Sequence, residues 1–67
     1  MSLADLVRQS RLDKAMTQKE LAYALRLSLV TISNLENGRK AGPKVLKAIS
    51  RFTNMETRVL RKMMEER

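Results

Sequence analysis

A chain of 67 residues with 14 Lys and Arg against 7 Asp and Glu, a net charge of +7, fits one small domain. It has no Cys and no His, so disulfide staples and zinc sites are excluded, and helix packing or a partner subunit must stabilise a chain that buries only about 60 % of its unfolded surface. No run approaches the roughly 20 apolar residues of a membrane span, and the start MSLADLVRQ lacks a signal peptide's apolar core, so a cytoplasmic protein is expected.

Five helices and no strands are predicted. Ser2 caps the first, with Asp5 three residues on and Leu3, Leu6 and Val7 as its apolar stripe. Thr17 caps the second. There Thr17-x-x-Glu20 is a fuller capping box, followed by Leu21, Ala22 and Leu25. After a tight turn at Arg26-Leu27, Ser28 caps a third helix that runs to about Asn37, with Gly38 as its stop. At about 100° per residue, Ile32 and Leu35 point one way on this helix, and Leu29, Val30, Ser33 and Asn34 roughly the other. Gly42-Pro43 opens a fourth helix, with proline in the first turn where its missing N–H costs nothing. Val45, Leu46, Ile49 and Phe52 form its inner stripe. Thr53 or Asn54 caps a fifth, over about residues 54–64, with Val59, Leu60 and Met63 at helical spacing.

The positive excess is uneven. Arg39, Lys40, Lys44, Lys47, Arg51, Arg58, Arg61 and Lys62 share their segment with one acid, Glu56, whereas residues 1–38 are nearly balanced. Such a field favours a polyanion, and a single Tyr and a single Phe argue against single-stranded binding by stacked aromatics. No enzyme is expected. Without His or Cys nothing activates Ser10 or Ser50, the scattered carboxylates form no pair, and no cofactor or metal is implied.

Ala22 falls where the second helix must approach the third closely, and Leu21, Leu25, Ile32 and Leu35 seal the two together. Joined at Arg26-Leu27, they have the spacing of a helix-turn-helix. Through Thr17-Gln18-x-Glu20-Leu21-Ala22 and Ser28-x-x-Thr31-Ile32-Ser33-x-Leu35-Glu36-Asn37-Gly38, the chain resembles the phage repressor and Cro type of regulator, the XRE-like family, over residues 3 to about 50. The resemblance implies an all-α, compact five-helix lambda-repressor-like domain over residues 1–67. It implies a sequence-specific double-stranded DNA-binding transcriptional regulator, a Cro-like or small repressor, homodimeric on a two-fold operator. Helix three would read the major groove through Leu29, Val30, Ser33 and Asn34. Gln18 would touch the DNA backbone and brace helix three, and Arg39, Lys40 and Lys44 would clamp flanking phosphates. Arg11, late in helix one, would form a structural ion pair with Glu36.

On chemical grounds Thr17, Ser28 and Thr31, with the N–H groups of two helix starts, suit phosphate oxygens, and Asn34 suits an adenine edge. Two positions depart from the family. Arg26 stands where the turn usually opens with Gly; a non-Gly residue in the left-handed region costs about 1–2 kcal/mol, so either the turn differs or Arg26 is kept for phosphate. Leu29 and Val30 replace polar base readers. They can pack on thymine methyls, or bury against a partner protein. Met55, Val59, Leu60, Met63 and Met64 give helix five more apolar surface than one small core needs, and a homodimer through that helix is expected. The alternatives are an antitoxin-like or other interaction module that binds a protein partner, and a general nucleic-acid-coating protein. A bacterial or phage-encoded, nucleoid-associated protein follows from the first reading.

Overall fold

The computed structural model describes residues 1–65, and within them five helices follow one another: α1 (Leu3–Asp13), α2 (Gln18–Leu25), α3 (Leu29–Glu36), α4 (Pro43–Thr53) and α5 (Thr57–Glu65). The single domain expected over residues 1–67 extends onto Glu66 and Arg67, which lie outside the described residues. The starts of α1 to α4 have local causes. Ser2 Oγ accepts from the Asp5 N–H at 3.1 Å, and Ser28 Oγ accepts from the Thr31 N–H at 3.0 Å. At α2 the capping box is complete: Thr17 Oγ1 accepts from the Glu20 N–H at 3.1 Å, and Glu20 Oε1 accepts from the Thr17 N–H at 2.8 Å. Pro43 opens α4 behind an uncapped Gly42.

The core takes side chains from every helix: Leu3 and Val7, Leu21 and Ala22, Ile32 and Leu35, Leu46 and Ile49, and Leu60. Val7, Leu21, Ile32, Leu46, Ile49 and Leu60 are fully buried, each contributing about 1.5–3 kcal/mol over an exposed side chain. α3 lies against both α1 and α2, α4 against α2, and α5 closes over α1 and α4. Leu6, Leu25, Val45 and Phe52, read from sequence as inward, are half-buried at the rim of this core.

Three turns use left-handed residues other than glycine: Ala15 (φ 53°), Arg26 (φ 56°) and Asn54 (φ 59°). At Arg26 the backbone doubles back so that the Leu27 N–H reaches the Ala22 carbonyl at 2.9 Å, which lets α3 start two residues later. α5 corrects the sequence reading. Thr53 and Asn54 do not cap it; they end α4. Thr53 Oγ1 donates back to the Ile49 carbonyl at 2.8 Å, and Asn54 is the left-handed C-cap. α5 then starts at Thr57. That register turns Leu60 inward, fully buried in the protomer's own core, so it has no surface to offer a second copy.

Candidate nucleic-acid interface

α3 meets the core through Ile32 and Leu35 and leaves its other face open. Leu29 is 48 % and Val30 68 % exposed, and Ser33 and Asn34 are half-buried beside them. Leu29 and Val30 adjoin, so they form one small apolar patch on this open face. At the same start, Ser28 Oγ and Thr31 Oγ1 lie 2.8 Å apart and are hydrogen-bonded, either one able to donate. Both hydroxyls therefore already have a partner within the cap, as does Thr17 in its capping box. Only one of the Ser28 and Thr31 hydroxyls donates within the cap, so a phosphate at this helix start meets the other O–H as well as the N–H groups the caps leave over.

The strongest polar cluster sits behind α3. Glu36 ends that helix with its side chain 3 % exposed, and donors from α1 and α2 converge on it. Arg11 makes a bidentate pair, Nε to Oε2 at 2.7 Å and Nη2 to Oε1 at 3.0 Å. Arg11 Nη1 also donates to the Met16 carbonyl at 2.9 Å, tying the α1–α2 loop to the same group. Gln18 Nε2 donates to Glu36 Oε1 at 3.2 Å, so the first residue of α2 is held to the last residue of α3. Arg8, which sequence reasoning passed over, adds a 2.8 Å bond from Nη2 to the Glu36 carbonyl and lies 3.6 Å from its carboxylate. Its signal was available, since Arg8 and Arg11 are one turn apart on α1. Burial pushes the Glu36 carboxyl up, but the hydrogen bonds from Arg11 and Gln18 and the charges of Arg11 and Arg8 outweigh it and leave the group below its ordinary value. The hydrogen bond to Glu36, with that carboxylate's charge, raises Arg11 against the effect of burial.

Beyond α3 the chain turns at Gly38 (φ 90°), and the Arg39 N–H returns to the Asn34 carbonyl at 3.0 Å. Arg39, Lys40 and Lys44 are exposed on the loop and the first turn of α4, and Arg26 is exposed at the α2–α3 turn. Among the described residues none of these four is paired with a carboxylate. A second contact that sequence reasoning missed fastens this loop: the Ala41 N–H donates to Met64 Sδ at 3.1 Å. Of the residues assigned to a dimer face, Met55, Met63 and Met64 pack partly onto the core and Val59 is 40 % exposed. Among the described residues no helix is long and apolar enough to cross a membrane.

The sequence profile of the helix-turn-helix family matches residues 7–60. It reaches past residue 50, where the resemblance read from motifs stopped, and takes in the start of α5. A crystal structure of a point mutant of the restriction-modification controller protein C.Esp1396I is similar, with a TM-score of 0.67 and 32 % identity over 92 % of this chain and 82 % of that one. No curated protein matches the chain.

Proposed function

The chain belongs to the XRE-type helix-turn-helix family of non-enzymatic, DNA-binding transcriptional regulators, and from that premise we propose that it is a Cro-like or small repressor that binds a two-fold operator as a homodimer. α3 enters the major groove of each half-site. The observation that carries this reading is the open face of α3, with Leu29 and Val30 exposed and Ser33 and Asn34 beside them, flanked by Arg26, Arg39, Lys40 and Lys44, cations that pair with no acid among the described residues. Leu29 and Val30 take thymine methyls, Asn34 an adenine edge, and the cations take phosphates on either side. Gln18, held by Glu36, stands at the start of α2 where its second amide hydrogen is available to the backbone. The exposed edge of α5 at Val59, with Met55, Met63 and Met64, supplies the dimer contact. The likeness to a restriction-modification controller protein supports a regulatory role.

Selection of bound sites from a random duplex pool, followed by footprinting, tests this reading. The expected product is an inverted repeat with half-sites about one helical turn, 34–36 Å, apart. Enrichment of no preferred sequence would overturn it in favour of a protein partner on α3 or a general coating role.

A further inference from the structure

One basic surface extends beyond the contacts proposed for DNA. Between the C-terminal end of α2 and the outer side of α4 lie two adjoining hollows of about 420 and 260 Å³, which share Leu25, Arg26, Ala48 and Arg51. Leu25, Leu27 and Ala48 are half-buried and supply its apolar surface. The exposed cations Arg26, Lys44, Lys47 and Arg51 surround it, and no carboxylate lines either hollow. Among the described residues none of these four cations pairs with an acid. Lys44, Lys47 and Arg51 are spaced i, i+3, i+7, so helix periodicity fixes them in one row along α4.

We propose that this cleft docks an acidic protein segment that carries a bulky apolar side chain among its carboxylates. Charge complementarity sets the sign of the partner. The apolar surface sets its kind. A duplex backbone would satisfy the cations but bring sugar and phosphate to Leu25, Leu27 and Ala48, leaving that surface without an apolar partner. An acidic peptide with an apolar anchor meets both demands, with Arg26 and Arg51 offering the planar donors that suit carboxylates. Arg26 and Lys44 also belong to the surface proposed for DNA, whereas Lys47 and Arg51 belong to the cleft alone.

A phage-displayed random peptide library panned on the full chain, with Lys47→Gln/Arg51→Gln protein as the counter-selecting bait, tests the proposal. The expected winners are acidic and carry a bulky apolar residue. A synthetic copy of the strongest should shift the amide resonances of Leu25, Leu27, Ala48 and Arg51, and should bind the double variant at least about tenfold more weakly. Ala48→Gln fills the hollow without changing charge and should lose the peptide too, with circular dichroism verifying that both variants fold. If Ala48→Gln fails to fold, the charge variant decides alone. The proposal is overturned if no acidic and apolar sequence is enriched, or if binding survives in a folded variant. It is also overturned if the double variant lowers the salt slope of operator binding by about two, since Lys47 and Arg51 would then be phosphate contacts. Site selection with the unaltered chain reports on α3 separately, so either proposal can fail without the other.

Discussion

Replacing Arg11 by Met strands the Glu36 carboxylate. The substitution removes the bonds at 2.7 and 3.0 Å to Glu36 and the 2.9 Å bond to the Met16 carbonyl, while keeping an unbranched apolar stem. Breaking a buried pair by deleting one partner costs about 3–5 kcal/mol. Gln18 at 3.2 Å and Arg8 at 3.6 Å survive beside the carboxylate, which places the loss near the lower end, about 3 kcal/mol. In a domain of this size each kcal/mol moves the midpoint by about 4–8 °C, so thermal unfolding should fall by about 12–24 °C. Glu36→Ala strands a guanidinium that is 14 % exposed and partly reaches water; it too should destabilise clearly. The double variant strands neither charge and should recover at least about 1 kcal/mol of the summed losses. Urea or thermal unfolding of the four proteins measures the cycle. A coupling within about 0.5 kcal/mol of zero would refute the buried pair as a linked unit. The pH dependence adds a second arm. The folded pKa of Glu36 is depressed, so its stabilisation is fully present above the unfolded value of about 4.3 and is lost as pH falls through the folded value. The unaltered chain should therefore lose stability below about pH 4.3 more steeply than Glu36→Ala.

Ala15→Gly and Arg26→Gly should each raise stability in thermal unfolding, by a few tenths to about 1 kcal/mol, because both positions have positive φ; a loss at either would mean the side chain there contributes more than the strain costs. Arg39→Ala, Lys40→Ala and Lys44→Ala should weaken binding to all sequences alike, each lowering the salt slope by about one; an unchanged slope removes that residue from the phosphate contacts. Leu29→Ala and Val30→Ala should instead relax sequence preference by about 1–3 kcal/mol, and uracil in place of thymine at their positions should imitate them; intact affinity and preference would exclude α3 as the reader. Sedimentation should find a homodimer that Val59→Glu dissociates, and a strict monomer both free and on DNA would remove α5 as the interface.

The middle of the chain was legible because local and tertiary signals agree there. Thr17 and Ser28 announce the starts of α2 and α3, and the inward pair Ile32 and Leu35 follows from spacing alone. The junction of α4 and α5 misled because Thr53, Asn54 and Thr57 are all cap-type residues, and a side chain that can accept at a helix start also closes a helix end. Only the packing of Leu60 into the core selects Thr57 as the start. At the site, the outward set on α3 could be read from periodicity, and the meeting of Arg11 with Glu36 was implied by the family resemblance. The brace from Gln18 to the same carboxylate was implied by that resemblance too, whereas Arg8, 28 positions from Glu36, was signalled only by its place one turn before Arg11.

The sulfur of Met64 gives the strap from Gly38 to Gly42 a clasp 23 positions away in sequence. Thioether sulfur is a soft, weak acceptor, so this clasp is lighter than the Arg39 N–H bond to the Asn34 carbonyl that holds the other end of the strap. Fraying of the last turn of α5 should release Ala41 from this contact and, on the proposed reading, weaken the phosphate contacts of Arg39 and Lys40. Amide exchange at Ala41 would therefore report on the C-terminal helix rather than on its own neighbours.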